Sequence, residues 1–407
     1  MDDGPVHRRR RGPHHPQGPG PGPHLQPDAA RRALSGPSWG VPPWRVELPP
    51  GRAALPERCD VAVVGAGLTG LAAAYTLARQ GVAVVVFEAR RLGAGASGRS
   101  GGIVLEGTSA GPLPEADDCI ATLERTLSEA AIACELELPG CWELTHAENG
   151  APLWRDGERA LSLSETVPGG TLDPGKLLGG LAAAAVREHA ELHEQAPVRG
   201  ISGGAPLVLQ IRDRELRADR VVLALNAYTA SLISAGEDFH PALTLALSTQ
   251  PLAPGTLEAI GLGARNPFYT VDEPYLWGRP WGPDRLIFGG GLAFAGSKRV
   301  ERVDIRAQEV ARSLAQLEQR VRGLHPALAD MRIAERWGGP VAFRASRTPI
   351  LCRHPSLDGL ILIAAYAGHG VALSVHLGRL AARTILDGGT LPRWGEVVSS
   401  SEAREVG

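Results

Sequence analysis

Residues 59–102 read CDVAVVGAGLTGLAAAYTLARQGVAVVVFEARRLGAGASGRSGG. Residues 60–64 form a short apolar run, which is typical of a buried parallel strand. A glycine-rich turn follows over residues 65–70, and apolar residues then recur at helical spacing. A second apolar run over residues 82–87 ends at Glu88. This order of strand, glycine turn, helix, strand and acid predicts a dinucleotide-binding unit.

The residues of this unit have separate physical tasks. Gly65 lets the chain turn sharply, Gly67 lets backbone approach a pyrophosphate, and Gly70 lets the helix lie close to the strand. Glu88 can accept hydrogen bonds from ribose hydroxyls, and its charge would repel the 2′-phosphate of NADP. The alternative is a glycine turn without a ligand, which the flanking strands and the acid make less favourable. The predicted cofactor contacts here are Gly65, Ala66, Gly67, Leu68, Thr69, Gly70 and Glu88.

The run after Glu88 indicates which dinucleotide is bound. Residues 93–102 are too rich in glycine for a crossover helix and are typical of backbone wrapped around a long ligand. The GASGRSGG of residues 95–102 resembles GASGRNGG of the D-amino-acid oxidase-like superfamily of FAD-dependent amine oxidoreductases. The resemblance is to the gamma-glutamylputrescine oxidase-like branch and extends over most of the chain after Trp39. It implies FAD as cofactor, with further contacts from Ala89, Arg90, Ala96, Ser97, Gly101 and Gly102.

The predicted fold class is α/β, with a Rossmann-like FAD-binding domain assembled from separated segments and a second, mixed α+β substrate domain that holds an antiparallel sheet. We predict the FAD-binding domain over residues 57–108, 168–240 and 339–390, and the substrate domain over residues 109–167 and 241–338. Outside the glycine unit, long helices are predicted over residues 120–133, 174–189, 304–324 and 374–386, with Asp304 as the N-cap of the third.

Residues 1–50 differ in composition from the rest of the chain. They are rich in Pro, Gly and His, include the arginine run 8–11 and show almost no apolar periodicity, which predicts a disordered extension. The arginine run is more typical of a solvated tail than of a nucleic-acid patch, and no apolar segment follows it as a twin-arginine signal requires. No stretch is long and apolar enough to span a membrane. The net charge of −2 gives no reason to expect nucleic acid as a partner.

The cysteines show no metal-binding or disulfide pattern. None of the five lies in a CxxC pair or in a Cys/His cluster with ligand spacing, so no metal site is predicted. The odd number and the missing signal segment favour reduced thiols and a cytoplasmic location.

Three later motifs extend the resemblance. A strand start at Val198 corresponds to the place where relatives contact adenine through backbone, although an ordinary hairpin fits as well. The turn at Asn226 is similar to the family's ATNAY turn, with Leu225 departing from the usual Thr or Gly. Near the C-terminus, the run at residues 368–371 matches the family's GHGV signature, whose N–H groups and helix dipole face the flavin edge that becomes negative on reduction. This motif adds Gly368, His369, Gly370 and Val371 to the cofactor contacts.

Four side chains are candidates for catalysis or substrate binding. Oxidation of an amine on a flavin needs a neutral amine in an aromatic or apolar pocket, and Tyr275 and Trp277 are predicted to line it. Plain packing within the sheet is the alternative for both. Arg99 can hold a substrate or flavin group or pair with an acid, and His369 can act as a base or have a structural role.

Several family positions are changed in this chain. The lysines that serve sarcosine-oxidising relatives align with Gly290 or Gly291 and with Ala372, and the arginine of amino-acid oxidising relatives aligns with Pro340 and Val341. We therefore expect a reacting amine without an adjacent carboxylate, unless an arginine compensates from another direction; the candidates for that are Arg99, Arg279 and Arg344.

The predicted function is oxidation of a C–N bond of a small amine to an imine by FAD, with oxygen as acceptor. Phe343 aligns with the usual site of covalent flavin attachment, so non-covalent FAD is expected. The first alternative is a dehydrogenase for amines or amino acids that passes electrons to a carrier. The second is an inactive flavin-binding protein that acts by interaction.

Overall fold

The computed structural model describes Met1 and residues 39–47, 49, 54–146, 152–294 and 299–397. Within these residues the strands are β1 (Arg58–Val64), β2 (Val84–Phe87), β3 (Ile103–Leu105), β4 (Cys141–His146), β5 (Trp154–Asp156), β6 (Arg159–Val167), β7 (Gly169–Thr171), β8 (Glu191–His193), β9 (Val198–Gly203), β10 (Leu207–Ile211), β11 (Arg214–Leu223), β12 (His240–Thr249), β13 (Phe268–Thr270), β14 (Leu276–Trp281), β15 (Arg285–Ala293), β16 (Ile333–Phe343), β17 (Ile350–Arg353) and β18 (Leu360–Ala364). The α-helices are α1 (Leu68–Ala78), α2 (Cys119–Ala130), α3 (Pro174–Arg187), α4 (Thr256–Ala259), α5 (Gln308–Gly323) and α6 (Ala372–Asp387).

The first sheet has the strand order β17-β18-β11-β1-β2-β8. Strand β10 also pairs with β11, and β9 pairs with β10. Strands β18, β11, β1, β2 and β8 run parallel to one another. Their central residues are apolar and buried because helices α1, α3 and α6 cover one face, while the other face packs in a second apolar cluster that includes residues of β12 and α5. The carboxyl ends of these strands therefore meet at one edge, where ligands of open α/β sheets bind.

Helices α1, α3 and α6 share one apolar core with the first sheet. Helix α1 is buried on nearly every side, and it lies so close to α6 that a Cβ at Gly378 would be 2.3 Å from the carbonyl oxygen of Thr69. Helix α3 begins as predicted at Pro174, because the Asp173 carboxylate accepts hydrogen bonds from the N–H groups of Gly175 and Lys176.

Helix α2 belongs to the same core. Its buried residues Cys119, Leu123 and Leu127 pack with the other helices of the first sheet. The prediction that residues 109–167 lie wholly in the substrate domain is therefore wrong for this helix. The division into two domains otherwise stays a prediction.

The second sheet has the strand order β16-β12-β15-β14-β13-β4-β6-β5 and is mostly antiparallel. One face packs on α5 through the predicted apolar stripe of that helix, Val310, Leu314, Leu317 and Val321, which is buried as expected. The start of α5 was predicted wrongly. The helix begins at Gln308, because Asp304 accepts a hydrogen bond from the N–H of Arg306 in a local turn instead of capping the helix.

Residues 39–47 contradict the prediction of disorder over residues 1–50. The side chain of Trp39 is buried and its indole N–H donates to the carbonyl of Val303. Trp44 is also buried, and its indole N–H donates to the carbonyl of Gly98. Two large apolar side chains offset the ordering of this Pro- and Gly-rich segment. The other residues of the proposed extension, including the arginine run, lie outside the described residues except for Met1 and residue 49.

All five cysteines are free and buried. Among the described residues, no group of three or more His, Cys, Asp and Glu side chains is placed to hold a metal ion.

None of the described helices has the length and apolarity that crossing a membrane requires.

Candidate functional site

The glycine turn lies between β1 and α1 as predicted. Gly65 has a φ of +105°, which favours glycine. A Cβ at Gly70 would lie 2.0 Å from the carbonyl oxygen of Gly65, and a Cβ at Gly67 would lie 2.9 Å from Ser97 Oγ. Helix α1 has no side-chain cap at Gly67, and its first residue, Leu68, donates its N–H to Ser97 Oγ at 3.0 Å. The N-terminus of α1 thus has the open form that binds anionic groups.

Glu88 follows β2 at the same edge of the sheet. One carboxylate oxygen accepts a hydrogen bond from the N–H of Arg90 at 2.8 Å, while burial raises the pKa of the carboxyl group above its usual range. Ala89 between them is exposed. The N–H groups of residues 195 and 196 donate to the carbonyls of Arg90 and Glu88, respectively. These bonds bring the start of β9 at Val198 close to Glu88. The predicted adenosine contacts are therefore close together.

Substitution of Glu88 by Arg should lower the affinity for FAD at least about tenfold, because a charged hydrogen bond contributes about 1.5–3 kcal/mol. The measurement is titration of the flavin-free protein with FAD. Glu57→Arg adds the same cation at an exposed position just before β1 and should bind FAD normally. Equal affinity in the two variants would contradict the ribose role of Glu88.

The turns after β11 and β18 join the glycine turn. Asn226 Oδ1 accepts a hydrogen bond from the N–H of Ala365 at 3.0 Å. Tyr366 bonds through its hydroxyl to Thr69 Oγ1 at the start of α1, and its carbonyl accepts from the N–H of His369. Gly368 has a φ of +91° and is exposed. The structure thus brings together the three motifs that sequence placed at the cofactor.

Burial disfavours a positive charge on the His369 imidazole. Burial lowers the pKa of His369 below its usual value, and its Nδ1 is buried without a hydrogen-bond partner among the described residues. The ring lies edge-on to Tyr269, with the two centroids 6.5 Å apart. A neutral ring with a free nitrogen can accept a proton, so the predicted choice between base and structural role stays open.

The Arg99 guanidinium bonds to backbone carbonyls, and its predicted contact with a substrate or flavin group stays a prediction. Its Nη1 donates to the carbonyls of Trp39, Gly40 and Gly338 at 3.0–3.2 Å, and its Nε donates to the carbonyl of Ala94. The guanidinium ties the N-terminal segment and β16 to the loop, so its role in this structure is to hold backbone in place. No local signal indicated this role, because three of the four acceptors are distant in the chain.

Trp277 lies against the loop of residues 95–102, and its predicted place in the wall of the substrate pocket stays a prediction. A Cβ at Gly101 would be 2.3 Å from its ring, and a Cβ at Gly289 would be 2.1 Å from it. The indole therefore fills the space between β15 and the loop. Tyr275 precedes β14 and is 38% exposed, so it lies at the rim, and its substrate contact stays a prediction.

Arg279 on β14 lies on the same face of the strand as Trp277. Arg279 is only 3% exposed, and its Nε and Nη2 atoms have no hydrogen-bond partner among the described residues. A Cβ at Gly102 would lie 3.1 Å from Nη2, and the Trp281 ring centroid lies 4.9 Å from the guanidinium carbon. Burial lowers the pKa of Arg279 to about 9. Of the three arginines considered as carboxylate partners, Arg279 is the one left open, because Arg344 bonds to Asp238 and to the carbonyl of Glu396.

Glu143 and Tyr269 lie next to Trp277 and His369, and sequence analysis did not single them out as candidates. Register pairs Tyr269 with Glu143 on one side and with Trp277 on the other, so all three share one face of the second sheet. The Tyr269 hydroxyl donates to the Glu143 carboxylate; burial and this hydrogen bond together raise the pKa of Tyr269. The signal in the sequence was a hydrogen-bonding side chain inside each short strand, in Phe268-Tyr269-Thr270 and in Trp142-Glu143-Leu144, but it did not indicate which strands are neighbours.

Comparison with known proteins identifies the family of this chain. The family model DAO, FAD dependent oxidoreductase, matches residues 60–384. This chain belongs to the DAO family of FAD-dependent oxidoreductases. The predicted resemblance and α/β fold class are thereby confirmed, and FAD is the cofactor of this DAO-family enzyme.

Relatives of this DAO-family chain match it over most of their length. The probable oxidoreductase OrdL of Rhizobium meliloti is 28% identical over 84% of this chain and 90% of the relative. The gamma-glutamylputrescine oxidoreductase of Escherichia coli is 27% identical over 80% of this chain and 83% of the relative. Among solved structures, glycine oxidase from Geobacillus kaustophilus has a TM-score of 0.67 at 21% identity and covers 83% of this chain and 96% of its own. NikD, described as an unusual amino acid oxidase, has a TM-score of 0.69 at 16% identity and covers 85% and 98%.

The residues present fit FAD on physical grounds. Gly67 and Gly70 leave no room for side chains at the mouth of the turn, and α1 begins without a cap. Glu88 is an acceptor held at the next strand end, and residues 95–102 pass between this turn and Trp277. The individual cofactor contacts predicted from sequence stay predictions.

Proposed function

We propose that this DAO-family enzyme oxidises the C–N bond of a small amine to an imine. The observation that supports the proposal is the aromatic face of Trp277 and Tyr269, which stands opposite the loop 95–102 and the GHG turn. Bound FAD supplies the acceptor for the two electrons and the hydrogen that leave the α-carbon. The names of the relatives, gamma-glutamylputrescine oxidoreductase and glycine oxidase, agree with C–N bonds as the point of reaction.

The chain's own residues bind and orient the substrate. Trp277 excludes water from the loop and offers an apolar surface to the reacting carbon. An amine must lose its extra proton before it can be oxidised. His369 Nδ1 has no hydrogen-bond partner among the described residues, and we propose that it accepts this proton. Oxygen is the proposed final acceptor, and a dehydrogenase that reduces a carrier is the alternative.

Arg279 favours a second candidate function, oxidation of an amino acid. A buried cation without an acid partner among the described residues is stabilised by an anion, and a substrate carboxylate is such an anion. The sequence predicted a substrate without an adjacent carboxylate because the lysines and the arginine of the relatives are replaced. That prediction allowed for a compensating arginine, and Arg279 is one of its candidates.

The test is reduction of the flavin under anaerobic conditions. Purified yellow protein is mixed with putrescine-type amines, γ-glutamylputrescine, sarcosine, glycine and D-alanine while flavin absorbance is followed. Faster bleaching by amines without an α-carboxylate supports the first candidate, and faster bleaching by the amino acids supports the second. No bleaching by any of them would support the inactive flavin-binding protein, and peroxide formation in air separates oxidase from dehydrogenase. Heat precipitation should release the yellow cofactor, since FAD is expected to be non-covalent.

A further inference from the structure

Resting on the proposed function, we propose that Glu143 binds a second, positively charged group of the substrate, so that the preferred substrates are diamines or related amines with two nitrogen centres. The argument starts from the cross-strand row that Glu143, Tyr269, Trp277 and Gly289 form across β4, β13, β14 and β15. Residues paired directly across antiparallel or parallel strands share one face of the sheet. This row therefore places a carboxylate on the aromatic face that stands opposite the loop 95–102.

The Glu143 carboxylate is half-buried and carries no ion pair with any Lys, Arg or His of the described residues. Its one hydrogen bond in the described structure comes from the Tyr269 hydroxyl, which fixes the orientation of the carboxylate. One oxygen is thereby satisfied, while the remaining lone pairs are left for another donor.

Two neighbours make a cationic donor the favourable one. Glu165 on β6 lies directly opposite Glu143 in the register, and like charges in that position destabilise a strand pair. The His369 ring lies edge-on to Tyr269, and burial lowers the pKa of His369, which disfavours a positive charge on this ring. The protein itself therefore leaves a concentration of negative charge at this end of the aromatic row, which an ammonium group would neutralise.

The two ends of the row suit the two ends of a diamine. The reacting nitrogen must be neutral, and it is placed at the Trp277 end beside the loop 95–102. A second nitrogen a few methylene groups away keeps its proton, and the Tyr269 ring supports the chain between them. Monoamines fill the same aromatic surface but leave Glu143 unpaired.

The experiment compares Glu143→Gln with the wild-type holoenzyme. The glutamine side chain keeps an oxygen that accepts from Tyr269 and loses only the charge, so folding and FAD content should be unchanged. Glu124→Gln removes an exposed carboxylate on α2 and is the matched control. Binding of 1,4-diaminobutane and of n-butylamine is measured by titration calorimetry, and anaerobic bleaching of the flavin by each amine is measured in parallel.

The expected result is that the wild type and the Glu124 variant bind the diamine about ten- to a hundredfold more tightly than the monoamine, and that Glu143→Gln loses this preference with little change for the monoamine. A preference that survives in Glu143→Gln, or its absence in the wild type, would overturn the assignment. If neither amine bleaches the flavin but the diamine binds in a Glu143-dependent way, the proposed function fails and the cation site stands. If both amines bleach the flavin equally well in every variant, the function stands and the cation site fails.

Discussion

A Gly70→Ala variant should be isolated without its yellow cofactor. The added Cβ would lie 2.0 Å from the carbonyl oxygen of Gly65 and 3.0 Å from Val63 Cγ1, so α1 would have to move away from β1. Helix α1 is held from the other side by α6, where Gly378 already approaches the carbonyl of Thr69 closely. The crowded core costs about 1–3 kcal/mol, and the displaced N–H groups at the start of α1 would no longer meet the phosphates of FAD, so the affinity for FAD should fall strongly.

The measurement is the ratio of flavin to protein absorbance after purification, followed by titration of the variant with FAD. Gly323→Ala is the control, because nothing lies within 4 Å of the Cβ that it adds at the end of α5. That variant should retain FAD fully and gain slightly in helix stability. A Gly70→Ala protein with normal FAD content would show that the turn tolerates a side chain and does not set the cofactor affinity.

Replacement of Arg279 by Met should stabilise the flavin-free protein by about 2 kcal/mol, because it exchanges a buried cation, unpaired among the described residues, for an apolar side chain of similar length. The pH dependence follows from the lowered pKa. Since the folded protein disfavours the charged form, the destabilising effect of Arg279 is fully present below about pH 9, and it declines as the pH rises above that value. The difference between variant and wild type should therefore be larger at pH 7 than at pH 10.

Urea unfolding of the flavin-free proteins at these two pH values measures the difference. Arg214→Met, which changes an exposed arginine in the hairpin between β10 and β11, should leave the unfolding free energy within about 0.5 kcal/mol of wild type. A loss of stability in Arg279→Met would mean that the guanidinium has a favourable partner in the protein and is not reserved for an anion.

The parts of the fold that sequence predicted are those determined by local physics. The β1–α1–β2 unit follows from the apolar runs and from glycines that a side chain would exclude, and α3 begins at Pro174 because Asp173 caps it. The stripe Val310 to Val321 indicated the buried face of α5 correctly. Its first residue was misplaced because an Asp before a helix can close a local turn as well as cap the helix, and both uses have the same local sequence.

The parts that sequence could not predict depend on contacts between distant segments. In the sequence, Arg99 is a cation within a glycine-rich run and has no evident partner. Its hydrogen bonds to the carbonyls of Trp39, Gly40 and Gly338 form only in the folded protein. Glu143 enters the site through parallel pairing of β4 with β13, a choice that the alternation within either strand does not encode. The composition of residues 1–50 predicted disorder because Pro and Gly are far more numerous there than the two tryptophans. The burial of those two indoles nevertheless orders residues 39–47.

The order of the strands in the first sheet has a consequence for synthesis of the protein. Strand β11 has β1 on one side and β18 on the other, and β18 is made only after the whole second sheet. While the ribosome translates residues 224–359, the nascent chain carries a parallel sheet with an open apolar edge and without α6 to cover α1. Strands in this state pair readily with other chains. The yield of soluble enzyme in a cell will therefore depend on how well chaperones protect this unfinished half until β18 and α6 have left the exit tunnel.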